Sequence, residues 1–104
     1  MSRPFSYNDE NFTVIGNILL FHINLTKDVQ SNSNIIEIPP ALYYRINQHT
    51  LIGTIVRPLI TPTANDSFTR GFYIAEQNGK YYLKSESNIP GYHIISAYVH
   101  LKDI

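Results

Sequence analysis

The chain has 104 residues, with eight basic and eight acidic side chains that cancel to a formal charge of zero, 15% charged residues and no cysteine. A single domain of this length buries a modest core without disulfide or metal support, and the lack of cysteine excludes disulfides, thiol nucleophiles and cysteine-held metal. Neutrality without a run of like sign gives no electrostatic basis for affinity to nucleic acid or anionic membrane, and no signal-peptide core or bilayer-length apolar stretch is apparent. A soluble protein is expected, with no nucleic-acid partner and no membrane insertion.

Residues 1–11 read as an N-terminal extension and residues 12–104 as one domain. From Thr13 to Thr26, TVIGNILLFHINLT alternates with period two: Leu19, Phe21, Ile23 and Leu25 share one face, and Ile18, Leu20, His22 and Asn24 the other. The first face is wholly apolar and the second only at one end, so Ile18, Leu20 and His22 are expected to be covered by a second layer or by another subunit. SNSN (31–34) is a polar loop leading into IIEI, and Pro39-Pro40 ends that strand by removing ladder donors and fixing φ. Residues 43–47 are ambiguous. Thr50 to Arg57 reads as a strand closed by Pro58, with Gly53 marking a bulge or a close approach.

TPTANDS (61–67) is the most loop-like stretch. Phe68, Arg70, Phe72 and Ile74 then alternate with Thr69, Gly71, Tyr73 and Ala75 into Asn78-Gly79. That pair predicts a two-residue type I′ hairpin, because both central residues of such a turn need positive φ. Tyr81 to Ser85 is the return strand, Asn88-Ile89-Pro90-Gly91 a turn, and Tyr92 to Leu101 the final strand. The first and last strands are the most apolar and are expected to be central neighbours, holding Phe21, Ile23, Val99 and Leu101 in the core. Short, regularly spaced strands without a convincing helix predict an all-β fold, an antiparallel β-sandwich or small barrel-like head domain.

Chemistry-bearing motifs are scarce. His22, His49, His93 and His100 show no metal-ligand spacing; His22 and His100 could approach across neighbouring strands, but no acidic cluster completes a site. The carboxylates are scattered, and nucleophile elbows and phosphate loops are missing. An enzyme is not expected, nor a cofactor or a metal. The eight tyrosines and the low charge instead suit an oligomer, or a module that presents rings and hydroxyls to a polar, uncharged ligand, although tyrosine is also common on half-buried strand faces. Tyr44, Arg57, Asp66, Arg70, Tyr73 and Tyr92, drawn from loops and strand ends, are the candidate ligand residues.

In layout, FTVIGNILLFHINLT, IIEIPPALYYR, the FYIAEQNGKYYLKS hairpin and the closing ISAYVHL resemble the C-terminal head domain of tail-tip receptor-binding proteins of long-tailed phages of Gram-positive bacteria. The resemblance implies a non-enzymatic adhesion module in the virion. Such a head would assemble as a homotrimer with other baseplate or tail proteins and bind host cell-surface polysaccharide or teichoic acid. Around a three-fold axis, Ile18, Leu20 and His22 would face neighbouring subunits. Related heads often stack a Trp on the sugar; this chain has none, so a Tyr would take that part. The alternative is a structural baseplate or virion assembly domain without a ligand.

Overall fold

The computed structural model describes residues 7–59 and 67–102; the candidate ligand residue Asp66 lies outside them. The strands are β1 (Tyr7–Asn8), β2 (Phe12–Ile15), β3 (Ile18–Leu25), β4 (Asn34–Glu37), β5 (Ile52–Pro58), β6 (Phe72–Gln77), β7 (Lys80–Ser85) and β8 (His93–His100). They form two antiparallel sheets, a larger one ordered β1-β2-β3-β8-β5 and a smaller one ordered β4-β7-β6. The architecture is all-β and sandwich-like, as expected. Among the described residues no helix is long and apolar enough to cross a membrane.

β3 and β8 are adjacent in the middle of the larger sheet, with Leu19 opposite Val99, Phe21 opposite Ala97 and Ile23 opposite Ile95. All six of these side chains are buried, and so is Leu101 just beyond β8. They meet Phe72, Ile74 and Leu83 of the smaller sheet to form one core. Alternation along the strands thus sorts the side chains, and burying the odd-numbered set of β3 and β8 drives the sheets together. The β6–β7 turn has the geometry its residues demand, with Asn78 at φ 54 and Gly79 at φ 81.

Several segments differ from the sequence reading. The run from Thr13 to Thr26 is a β2–β3 hairpin, not one strand: Gly16, at φ +60, turns the chain with Asn17, and Phe12 and Val14 are buried on the even-numbered side before parity flips to Leu19. Tyr7–Asn8, placed in the N-terminal extension, pairs with Thr13–Val14 as an edge strand. Residues 40–45 form a 3₁₀ helix started by Pro40 and anchored by the fully buried Leu42. Phe68 does not begin β6. It pairs instead with Val56 of the other sheet through reciprocal N–H···O bonds of 2.8 and 2.9 Å.

That exchange closes one side of the sandwich. His49–Leu51 runs along β6, with Ile74 N donating to His49 O and Leu51 N to Phe72 O, and the chain then crosses into β5 of the larger sheet. Beyond the opposite ends of the sheets, Val29 and Ile89 tie two loops together by reciprocal 2.8 Å bonds. Between β3 and β4 no comparable seam is present among the described residues, and a cleft opens there.

Candidate functional site

The candidate ligand residues that the structure describes do not converge on one site: Arg57, Arg70 and Tyr92 lie around the start of β8, whereas Tyr44 and Tyr73 lie elsewhere. Tyr44 is exposed on the 3₁₀ helix, next to Arg45, whose guanidinium donates to Lys102 O at 3.0 Å. Ile46 bridges Leu101 there, whereas Arg57 lies opposite Ile94 near the start of β8. The rise from Ile94 to Leu101 is roughly 23 Å, so Tyr44 and Arg57 cannot share a small ligand. Tyr92, exposed and at φ 60, precedes β8 and accepts a 2.9 Å bond from Leu59 N. Arg70 is already engaged: its guanidinium lies 4.4 Å over the Phe68 ring and donates to Thr69 O at 2.9 Å, and Phe68 in turn packs edge-on against His93. Arg70 therefore braces the closed seam as a cation–π clamp.

Tyr73 has a different setting. It points outward from β6, opposite Lys84, while the next outward residue, Ala75, is opposite Tyr82, which is in turn opposite Glu37 of β4. Tyr73 and Tyr82 are thus diagonal neighbours, with Cβ atoms somewhat less than about 7–8 Å apart and with Ala75 and Lys84 at the other two corners. The Tyr73 hydroxyl donates to Asn32 Oδ1 at 2.6 Å, which fixes the ring's direction, and Lys80 pairs with Glu37 at 3.6 Å along the same face. The outer face of the smaller sheet therefore carries two half-buried tyrosines side by side, a tyrosine platform flanked by amide, ammonium and carboxylate groups. Phenol faces stack on apolar ring faces, and the flanking groups exchange hydrogen bonds with hydroxyls.

The outer face of the larger sheet is different in kind. Ile18, Leu20 and His22 do share it, as expected, with Ile18 half-buried and the other two exposed. Cross-strand register brings Thr13, Leu20, Tyr98 and Ile52 into one row and His22, Ser96 and Ile55 into the next. Gly53 shapes it: at φ +61, beside a register shift in β5, a Cβ would stand 2.5 Å from Tyr98 Cε1, so only glycine lets the tyrosine lie over the strand. Both options held open for Gly53, bulge and close approach, occur together. Around it is a hollow of about 340 Å³ floored by Leu20, Gly53 and Tyr98. His22 and His100 do not meet, because His22 is opposite Ser96 and His100 opposite Ile18, roughly 13 Å apart along the ladder.

The third feature is a concavity of about 550 Å³ between the end of β3 and β4, lined by Asn24, Lys27 and Asp28 on one side and by Asn34, Ile35 and Ile36 on the other. It exists because β2 stops short. Asp9 turns the incoming chain away, its Oδ1 accepting from Asn11 N at 2.8 Å and from Phe12 N at 2.7 Å, and its Oδ2 from the Tyr7 hydroxyl at 3.0 Å. Burial tends to raise the Asp9 pKa, but the Asn11 and Phe12 amides and the Tyr7 hydroxyl outweigh it and hold the carboxyl below its usual value. A folded-state pKa below the unfolded one stabilises the turn above the ordinary carboxylate pKa of about 3.9, and that contribution is lost as pH falls through the depressed value. An acid titration of the Phe12 amide signal by NMR is therefore expected to show a midpoint below the ordinary value; a midpoint at or above it would contradict the turn.

No protein family, curated protein or solved structure matches the chain. Among the described residues no three His, Asp or Glu side chains converge on a point where a metal could sit. The surface therefore offers three places for recognition: a tyrosine platform, an aliphatic sheet face and a cleft at an open strand edge. Composition pointed to the first two, through the tyrosine count and the apolar end of the second β3 face. The cleft had no sequence signal, because its walls come from separate polar segments that only the fold brings together.

Proposed function

We propose that the protein is a non-enzymatic adhesion module that self-associates through the outer face of its larger sheet and binds saccharide on the outer face of the smaller one. The observation that carries this reading is the opposed chemistry of the two faces. One presents Ile15, Leu20 and Ile55 to solvent; the other presents Tyr73 and Tyr82 among hydrogen-bonding groups. An aliphatic face suits burial against a second copy, and rings flanked by polar groups suit a sugar, whose ring face is apolar and whose rim is hydroxyl. Weak sites repeated around an oligomer raise effective affinity without any tight single contact. The resemblance in layout is what suggests a phage tail tip as the setting, a trimer as the assembly, and host polysaccharide or teichoic acid as the ligand.

A glycan array probed with the assembled protein tests the reading, followed by titration of the best binder. Tyr73→Ala and Tyr82→Ala are each expected to weaken binding roughly 2- to 10-fold, the value of one aromatic contact. Binding unaffected by either substitution would move the site elsewhere. No binding to any glycan or Gram-positive envelope preparation would favour the second reading, a structural assembly domain. That reading draws on the aliphatic face alone, which needs no ligand to explain it.

A further inference from the structure

We infer that the open edge of β3 beside the cleft is a strand-addition site for an extended peptide of alternating apolar and polar residues. On this edge His22 N donates to Asn11 O at 2.8 Å and His22 O accepts from the Asn11 side-chain amide at 3.0 Å, so a side chain supplies the final rung of the β2–β3 ladder. In an antiparallel strand the backbone groups of alternate residues point the same way. Asn24 therefore directs its N–H and C=O towards the same side as His22, where the chain has already turned away at Asp9, and neither group has a hydrogen-bond partner among the described residues.

The cleft beside that edge matches the needs of an added strand. A peptide residue opposite Asn24 would exchange two main-chain hydrogen bonds with it and point its side chain outward. The residues on either side of it, opposite Ile23 and Leu25, would point inward, where the half-buried Val29, Ile35 and Ile36 form an apolar floor. Lys27 and Asp28 make the rim polar, and the volume of about 550 Å³ falls within the roughly 300–1,000 Å³ of ordinary ligand sites. A free saccharide could use the rim but would leave the paired donor and acceptor of Asn24 and the apolar floor mismatched. The site is separate from the tyrosine platform and does not depend on it.

The test titrates isotope-labelled protein with a pool of blocked pentapeptides in which Thr alternates with Val, Ile, Leu or Phe. Binding is expected to shift the Asn24 and Ile36 amide signals and to slow hydrogen exchange at Asn24. N-methylation of the peptide's fourth residue, the one opposite Asn24 when the peptide's C-terminal end abuts Asn11, removes its donor without touching the protein and is expected to weaken binding by roughly tenfold. Asn24→Pro, which removes the protein's donor at an edge position that tolerates proline, should do the same while leaving the circular dichroism spectrum unchanged. The inference is overturned if the N-methylated peptide binds as well as its parent, if millimolar peptide leaves the Asn24 signal in place, or if a neutral disaccharide saturates that signal where the peptides do not.

Discussion

Phe21→Ala is expected to lower the unfolding free energy by about 3–5 kcal/mol, the cost of emptying a large aromatic site that its surroundings cannot refill. Phe21 is 2% exposed in the centre of β3, with β2 on one side and β8 on the other, so collapse into the cavity would have to distort ladders in both directions. It also loses an edge-to-face partner, Phe12, at a centroid distance of 5.4 Å. A domain of this size moves its melting temperature by about 4–8 °C per kcal/mol, so thermal unfolding should fall by tens of degrees. Against a total stability of roughly 5–15 kcal/mol, the variant should be close to unfolding at physiological temperature. A double-mutant cycle with Phe12→Ala should show a coupling of about 0.5–1.5 kcal/mol, the part owed to the ring pair itself. A loss under 1 kcal/mol in urea denaturation would mean that the β3 core face is not packed as described.

The same strand shows how far a linear reading reaches. Period-two alternation identified the buried face of β3 and its pairing with β8, because a half-buried strand has no other way to sort side chains. Asn78-Gly79 identified a turn because few residue pairs accept positive φ twice. The β2–β3 turn is hard to read because apolar residues flank Gly16-Asn17 closely on both sides. Its signal was a flip in parity, from buried Phe12 and Val14 to buried Leu19 and Phe21. Ligand residues were the least legible. Loop position and strand ends predict exposure, which Tyr44 and Tyr92 have, but they carry no information about proximity, and Arg57 and Tyr44 flank opposite ends of β8. The cleft lay beyond reach for a related reason: it is created where Asp9 ends a ladder, and hydrogen bonds from a side chain to nearby amides leave no periodicity.

Leu20→Glu combined with Ile55→Glu is expected to abolish self-association while leaving the fold intact. Leu20 is 37% and Ile55 47% exposed, so the monomer gives up about half of the burial of each, roughly 1 kcal/mol apiece, while the opposite, core-facing side of the sheet is untouched. In an assembly the penalty is larger. The outward positions Thr13, Ile15, Ile18, Leu20, His22, Asn24, Ile52, Ile55, Arg57, Ile94, Ser96, Tyr98 and His100 include no carboxylate. Two new carboxylates on each copy would be desolvated against the aliphatic surface of a neighbour, with Arg57, at the edge of the face, as the one arginine or lysine among those positions. Each lost aliphatic contact removes a share of the 1.5–3 kcal/mol that full burial of such a side chain provides, and burying an unpaired charge adds roughly several kcal/mol. Together these should raise the dissociation constant by more than about 100-fold, equivalent to roughly 2.7 kcal/mol. Symmetry repeats the penalty at every contact, because a patch facing a closed assembly recurs on each subunit. Sedimentation velocity across a concentration series reads the result directly: the parent protein should sediment as an oligomer and the variant as a monomer with the same circular dichroism spectrum. A parent that stays monomeric at every concentration would remove association, and with it avidity, from the proposed function. A variant that remains oligomeric would move the contact from this face to the tyrosine platform or to the open edge of β3.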